Sequence, residues 1–296
     1  MILGGEQKMS HKVGVIGYGY MGYWHHQNSS RINGLEFTSA YDINPERLKV
    51  AEEKGLKAYT NLDDFLNKGD FDIVLVATPN NFHMEGTIAA LNAGKHVVCE
   101  KPAALSSQEL QKMIDTANNN NLIFTVHQNR RWDKDYKIIR KVIEDGLIGK
   151  PYTIESRVHG SRGAVFGWRA DKEAGGGMLL DWGVHLIDQI MYMVPEKVVN
   201  VFARLHKVKT PDVDDYFKMV MTFESGLNAQ IEVGTYCLKP LPRWYVNGDL
   251  GSAYINGWDC TGEVLHAKVL DEWSHEVVQT AAGPTRTMAP RTKEQL

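Results

Sequence analysis

The spacing of hydrophobic positions changes once along the chain. Up to about residue 128, short apolar runs alternate with segments of helical period. KVGVIG (12–17), LEFTSAYD (35–42), FDIVLVATP (71–79), KHVVCEKP (95–102) and NLIFTVHQN (121–129) read as strands. NPERLKVAEEKG (44–55), NFHMEGTIAALNAG (81–94) and SSQELQKMIDTANNN (106–120) read as helices. Continuous apolar strands suit a sheet covered on both faces, so the alternation predicts a doubly wound α/β domain with a parallel sheet over 10–127. After one amphipathic helix, KDYKIIRKVIEDG (134–146), the period becomes two in PYTIESRVHG (151–160), VVNVFARLHKV (198–208), YFKMVMTFE (216–224), LNAQIEVGTY (227–236) and GSAYING (251–257). That pattern predicts a second, α+β domain with a mainly antiparallel sheet over 128–296, with apolar residues left over for its outer face.

One segment between the first two of those strands is unusual. GGGMLLDWGVHLIDQIMYM (175–193) is a glycine run feeding a helix that is apolar nearly all round and therefore expected to be buried. Yet Asp181, His185 and Asp188 fall at i, i+4 and i+7, one stripe of a regular helix. A charge in an apolar interior is costly unless paired, so the stripe must face partners, water or a ligand. Asp181 also suits a helix N-cap, His185 a satisfied core histidine, and Asp188 a structural role. The pair lacks a third ligand at helpful spacing, so no metal is expected.

Charge and cysteines narrow the class. A net charge of −3 gives no electrostatic reason for a polyanion partner, so nucleic acid is not expected. Cys99, Cys237 and Cys260 are scattered, which suits a reducing, cytoplasmic compartment. MILGGEQKM (1–9) has no basic n-region and reads as a disordered extension before Met9. No run approaches the roughly 18 apolar residues of a membrane span.

The chemistry gathers at strand ends. Gly17-Tyr18-Gly19-Tyr20-Met21-Gly22 lies between the first strand and the first helix, where bare backbone lets a pyrophosphate sit on free helix N–H groups. Asp42, followed by Ile43, ends the second strand about 20 residues further on, placed to accept from both ribose hydroxyls of NAD and to repel a 2′-phosphate. NAD is therefore expected over NADP, with Arg47 the one nearby partner for a phosphate. A plain surface turn with Asp42 as a helix cap is the alternative. Thr78, Pro79 and Asn80, then Glu100, Lys101 and Pro102, then Gln128 follow later strands at the same edge, where open α/β sheets bind ligands; an ordinary exposed loop exit would look similar. His83 stands near a helix start and suits either a nicotinamide contact or a bland helix surface.

These stretches together resemble one family. GVIGYGYMG (14–22), VATPNNFHMEGTIAALNAGKHVVCEKP (76–102), NRRWDKD (129–135) and the glycine-led D-x-x-x-H helix are similar, in that order and over about 12–260, to the glucose-fructose oxidoreductase, inositol dehydrogenase and MocA superfamily. The resemblance implies an NAD(P)-dependent oxidoreductase acting on a CH–OH group of a sugar, inositol or related polyol. It implies catalytic positions at Lys101, Asp181 and His185, a ribose contact at Glu100, and pairing through the second sheet into a homodimer or homotetramer. Family members run several dozen residues further, so the second domain is expected to be incomplete, with AAGPTRTMAPRTKEQL (281–296) a polar lead-in.

Alcohol oxidation needs a base for the hydroxyl proton, and an imidazole titrates near working pH, which favours His185. Asp181 can orient His185 or bind substrate; Lys101 can bond the substrate oxygen or share the proton. Arg131, Trp132, Trp168 and Arg169 are substrate candidates, or else a domain junction and a packed loop. Two rivals stay open: a cofactor-binding sensor without turnover, and an NAD-using glycosidase. No G-x-S-x-G elbow supports acyl transfer.

Overall fold

A computed structural model describes residues 10–267, 276–288 and 291–295. The extension expected at 1–9 lies outside them. The chain divides into two compact units, one of Met1–Gln128 with Glu173–Gly175, the other of Asn129–Lys172 with Gly176–Leu296.

The first unit alternates strand and helix: β1 (His11–Ile16), α1 (Tyr20–Asn28), β2 (Leu35–Tyr41), α2 (Pro45–Glu53), β3 (Lys57–Tyr59), α3 (Leu62–Lys68), β4 (Ile73–Val76), α4 (His83–Asn92), β5 (His96–Cys99), α5 (Ser107–Asn119) and β6 (Phe124–Val126). All six strands are parallel in the order β3-β2-β1-β4-β5-β6. This is a doubly wound sheet whose order reverses between β1 and β4, the place where such sheets open a ligand crevice. Local chemistry starts the helices. The Asn44 and Asn61 side chains accept from the N–H groups of Glu46 and Asp64. Ser106 accepts from Glu109 N–H while the Glu109 carboxylate reaches back to Leu105 N–H, a reciprocal cap. Two elements escaped the apolar pattern, β3 and α3, because three strand residues and seven helical ones are too short to show a period.

The second unit contains α6 (Lys134–Glu144), β7 (Pro151–His159), a π turn at Leu179–Gly183 continuing into α7 (Val184–Met193), β8 (Val198–His206), β9 (Tyr216–Phe223), β10 (Asn228–Gly234), β11 (Trp244–Gly248), β12 (Gly251–Ile255), β13 (Gly262–Ala267), β14 (Glu276–Thr280), β15 (Gly283–Met288) and β16 (Arg291–Gln295). Its eight-stranded sheet runs β16-β13-β12-β11-β7-β10-β9-β8, antiparallel except for the parallel pair β7 and β10; β14 and β15 form a separate hairpin. Within the polar stretch read as a lead-in, β16 pairs with β13. An edge ladder needs only backbone groups, so its polar composition did not announce it.

Period-2 alternation sends Ile154, Phe217, Met219, Met221, Ala229, Ile231 and Val233 to one face, packed with Tyr136, Ile139, Leu186 and Ile190 of α6 and α7. The opposite face differs from expectation. On β7, β9 and β10 it is ionic rather than apolar: the buried Glu232 receives Tyr216 Oη (2.9 Å), His159 Nε2 (3.4 Å), Arg157 Nε (3.5 Å) and Lys218 Nζ (3.6 Å), and Arg157 also pairs with Glu155. Exposed apolar residues concentrate instead on the edge strand β8, on both of its faces, at Val199, Val201, Phe202 and Leu205.

A second buried charge pair joins α6 to β11. The Asp135 carboxylate accepts from Trp244 Nε1 (2.8 Å) and lies 3.1 Å from Arg243 Nε. Burial lowers the Arg243 pKa to about 10, against the pull of Asp135. Removing one partner of a buried pair strands the other. Asp135→Ala is therefore expected to lose about 3–5 kcal/mol of stability in urea denaturation, and a loss below about 1 kcal/mol would contradict the pairing.

Candidate active site

In the first unit the site begins with three glycines that are bare for different reasons. Gly17 has φ +91°, and a Cβ there would lie 2.8 Å from the Ala77 carbonyl oxygen; at Gly22 a Cβ would lie 2.1 Å from the Gly17 carbonyl oxygen. Both are demands of the turn itself. A Cβ on Gly19 would meet nothing nearer than the Arg47 guanidinium at 3.6 Å, so its bareness leaves room for a molecule from outside. Gly19 is also the N-cap of α1 and offers no side-chain bond, and no acid lies in the first turn. Such a helix end favours an anion.

The buried Asp42 closes this turn against β2. Its Oδ2 accepts from Tyr18 N–H (2.8 Å) and its Oδ1 from Asn44 N–H (2.8 Å), with Arg47 Nη1 at 3.4 Å from Oδ2. A carboxylate offers about four acceptor positions, so these three bonds leave capacity for a ribose hydroxyl. The Tyr18 side chain is buried and its hydroxyl pairs with His26 Nδ1 (2.7 Å). Tyr20 and Ile43 are 81% and 85% exposed, a poor use of large apolar side chains unless something covers them. Met21 is half-buried.

At the ends of β4 to β6 the arrangement differs in part from expectation. His83 is not turned toward a ligand: it is buried, with Nδ1 2.6 Å from the Pro102 carbonyl oxygen and Nε2 3.0 Å from that of Thr78. Burial lowers its pKa despite the pull of the two carbonyl oxygens, so the neutral ring has one proton to give to one of them. Asn80 is likewise engaged, its amide donating to Gly175 O (2.7 Å). Pro79 is the N-cap of a short 3-10 turn. Thr78 Oγ1 and Gln128 Oε1 are buried with no hydrogen-bond partner among the described residues. Two orphaned polar atoms at the sheet edge that also carries the glycine turn fit a dinucleotide, which would supply what they lack.

Glu100 and Lys101 follow β5. The Glu100 carboxylate is buried; Oε1 accepts from His25 Nε2 (2.6 Å) and His127 Nδ1 (3.0 Å), and Oε2 from Lys101 N–H (3.3 Å). Burial raises its pKa, but the bonds from His127 and His25 outweigh burial and hold the group well below the usual carboxylate range. Sequence reasoning passed over His25 and His127, although one stands three residues after the last glycine and the other at a strand end. The three donor atoms lie within 4.8 Å of one another, which is also the spacing of metal ligands.

In the second unit the polar helix is resolved into separate pairings. Gly177, at φ +102°, lets Asp214 come close: Asp214 accepts from Met178 N–H on its backbone carbonyl (2.9 Å) and from Leu179 N–H on Oδ2 (2.8 Å). Asp214, not Asp181, caps this helix. Gly176 and Gly177 donate N–H bonds to the carbonyls of Asp171 (2.9 Å) and Arg169 (3.0 Å), which fixes the turn carrying Trp168 and Arg169. Arg169 Nε then lies 3.1 Å from Asp181 Oδ2, with its guanidinium over the Trp168 ring. Asp181 sits on the π turn, so the straight stripe expected of a regular helix is interrupted there; such turns recur at functional sites. His185 is buried, edge-on to Trp182 at 6.0 Å. Arg131 is not free for a ligand: it holds Asp188 with Nε and Nη2 (2.7 and 2.5 Å) and packs on Tyr192. Trp132 is exposed beneath Lys137.

With these arrangements in view, the chain belongs to the GFO/IDH/MocA oxidoreductase family. The family's NAD-binding Rossmann-fold model matches residues 11–128 and its C-terminal domain model residues 136–254. An NAD-binding protein from Listeria innocua superposes with a TM-score of 0.92 at 43% identity, over 97% of this chain and 84% of that one. The scyllo-inositol 2-dehydrogenase (NADP(+)) IolW of Bacillus subtilis is 29% identical over 276 residues, 90% of this chain and 75% of the relative. The myo-inositol 2-dehydrogenase of Thermotoga maritima is 31% identical over 223 residues, 73% of this chain and 66% of the relative. The chain is an NAD-binding oxidoreductase, and no helix among the described residues is long and apolar enough to cross a membrane.

Glu100 gives a pH test. Its folded pKa lies below the unfolded value of 4.5, so its stabilisation is complete above that value and fades as pH falls through it. Glu100→Gln is expected to lose about 2 kcal/mol at pH 7, the scale of bonds to a charged group. The gap from wild type in urea denaturation should narrow at pH 3.5, and a gap that widens there would contradict the assignment.

Proposed function

We propose that the chain is an NAD-dependent dehydrogenase that oxidises a secondary alcohol of an inositol, sugar or related polyol, working in the cytoplasm as a homodimer or homotetramer with a small-molecule substrate. The observation that carries this reading is a buried imidazole, His185, in a mainly apolar helix whose preceding turn holds a paired Asp181. The inositol dehydrogenases among the relatives support the substrate class.

Bound NAD supplies a hydride acceptor at the nicotinamide C4. The turn at Gly17–Gly22 holds the pyrophosphate, and Asp42 accepts from the adenosine ribose. His185 takes the hydroxyl proton, Lys101 bonds the substrate oxygen and eases loss of that proton, and Asp181, with its charge balanced by Arg169, binds a neighbouring hydroxyl. Trp168 lies along the Arg169 guanidinium and offers an apolar face to a sugar ring. The exposed apolar positions of β8 support self-association, which light scattering at micromolar concentration would measure; a strict monomer would remove that part of the proposal.

Turnover is tested by a panel of inositols, polyols and sugars, with NADH read by absorbance. His185→Ala and Lys101→Ala should each lose roughly a hundredfold or more in kcat, the scale of an acid–base group. Near-native activity in His185→Ala would remove it as the base. Binding of NADH without turnover of any panel member would favour a sensor, and release of a leaving group without net NADH a glycosidase.

Cofactor choice is tested by calorimetry. Asp42 favours NAD, while Arg47, half-exposed and 3.4 Å from the carboxylate, is placed to soften that preference. NAD is expected to bind at least tenfold more tightly than NADP, Asp42→Ala to narrow the ratio, and tighter NADP binding by the wild type to overturn the choice.

A further inference from the structure

Three histidines from different parts of the first unit converge on the two residues that flank Lys101. On the N-terminal side, the Glu100 carboxylate accepts from Lys101 N–H through Oε2, while Oε1 is held by His25 from α1 and by His127 beyond β6. On the C-terminal side, His83 at the start of α4 bonds the Pro102 carbonyl through Nδ1, and its Nε2 lies against the Thr78 carbonyl at the end of β4. We infer that His25, His83 and His127 form a brace that fixes the backbone of Lys101 and are positioning residues for its amine. The inference rests on the role proposed for Lys101.

The physical case is one of direction. A strand exit of this kind is ordinarily a surface loop, with the freedom that implies. An amine that must meet a hydroxyl in one geometry loses rate steeply when displaced, by up to about a hundredfold for 1 Å. Here the Glu100 carboxylate that accepts from Lys101 N–H, and the Pro102 carbonyl one peptide further on, are each held by rigid rings. An ionised carboxylate only accepts, so His25 must carry its proton on Nε2 and His127 on Nδ1. A carbonyl also only accepts, so His83 must carry a proton on Nδ1 to make its shorter bond. Each ring thus has one required donor atom, and all three bonds end on a residue adjacent to Lys101.

Side-chain amides separate this brace from a general structural role. Asparagine places its N–H₂ near the position of a histidine Nδ1, and glutamine near that of Nε2. His83→Asn, His127→Asn and His25→Gln keep the required donor, whereas His83→Gln, His127→Gln and His25→Asn move it. In the full chain with NAD and myo-inositol, or the panel member that proves to be oxidised, the displaced variants should lose about tenfold or more in kcat. KM should stay within about threefold. The variants that keep the donor should recover at least a third of wild-type kcat, and melting temperatures should not follow that division.

Equal impairment of both amides at each position, or no fall in kcat for any displaced variant, would overturn the brace. A readout independent of turnover is the ¹⁵N spectrum of the imidazoles: His25 protonated on Nε2 with His83 and His127 on Nδ1 supports it, and the opposite tautomers overturn it. One zinc per chain in the purified protein, lost in His25→Ala, would also overturn it by making the cluster a metal site. If Lys101→Ala keeps its activity, the role proposed for Lys101 fails and the spectrum still judges the brace. If Lys101→Ala is inactive while all six histidine variants are active, the brace fails and the role of Lys101 stands.

Discussion

The absence of one methyl-sized group organises the first unit. A Cβ on Gly22 would fall 2.1 Å from the Gly17 carbonyl oxygen, so β1 can pass into α1 over a three-residue turn only while position 22 is bare. Everything at that edge follows from the tightness of the turn. It brings Tyr18 N–H within reach of Asp42 at the end of β2, and that bond locks the loop to the neighbouring strand. It also directs the uncapped end of α1 outward, with no acid to oppose an anion. A wider turn would still let β1 pair with β2 and β4, but the helix N–H groups would no longer lie at the carboxyl edge of the sheet. The cofactor edge is therefore built mainly from backbone, which explains why it rests on glycines and one short acid.

The second unit meets a different problem, since its polar groups must be carried on a helix that is otherwise apolar. Isolated burial of Asp181 or Asp188 would be prohibitive. The fold answers with arginines from elsewhere in the unit, Arg169 for Asp181 and Arg131 for Asp188, the latter by a two-point contact that leaves little freedom. The two pairs are unequal. Arg131 and Asp188 saturate each other, so they hold structure. Arg169 meets Asp181 through Nε at 3.1 Å while its guanidinium also lies over Trp168, so this pair is shared with the loop that carries Trp168. The same division applies at the helix start, where Asp214 takes the capping work and relieves Asp181 of it.

Much of this was legible in the residues before any coordinates. The alternation of apolar runs with helical segments defines the parallel sheet, since a buried strand and a helix end each leave a strong local mark. The glycines and Asp42 were legible for the same reason: each answers a constraint within a few residues, or at the next strand. β3, α3 and β16 were not, because short or edge elements draw on backbone pairing rather than on an apolar period. The outer face of the second sheet was misread because Glu232 looks like an ordinary solvent-facing acid in LNAQIEVGTY; only pairing with β7 and β9 shows that Arg157, His159, Tyr216 and Lys218 enclose it.

The histidines mark the limit of such reading most clearly. His83 was visible as a polar residue at a helix start, open to a cofactor contact or a plain helix surface, and its ring lies buried between two carbonyl oxygens. A side chain's direction depends on what the next strand presents. For His83 that is the carbonyl of Pro102, 19 residues away; for His25 it is a carboxylate 75 residues away. Period, capping and turn chemistry carry no information over those separations. What they do fix is the common edge at which β4, β5 and β6 end, and once that edge exists the short reach of an imidazole leaves few partners available. The sequence pattern thus determined where the polar groups would gather, and the sheet determined which of them would meet.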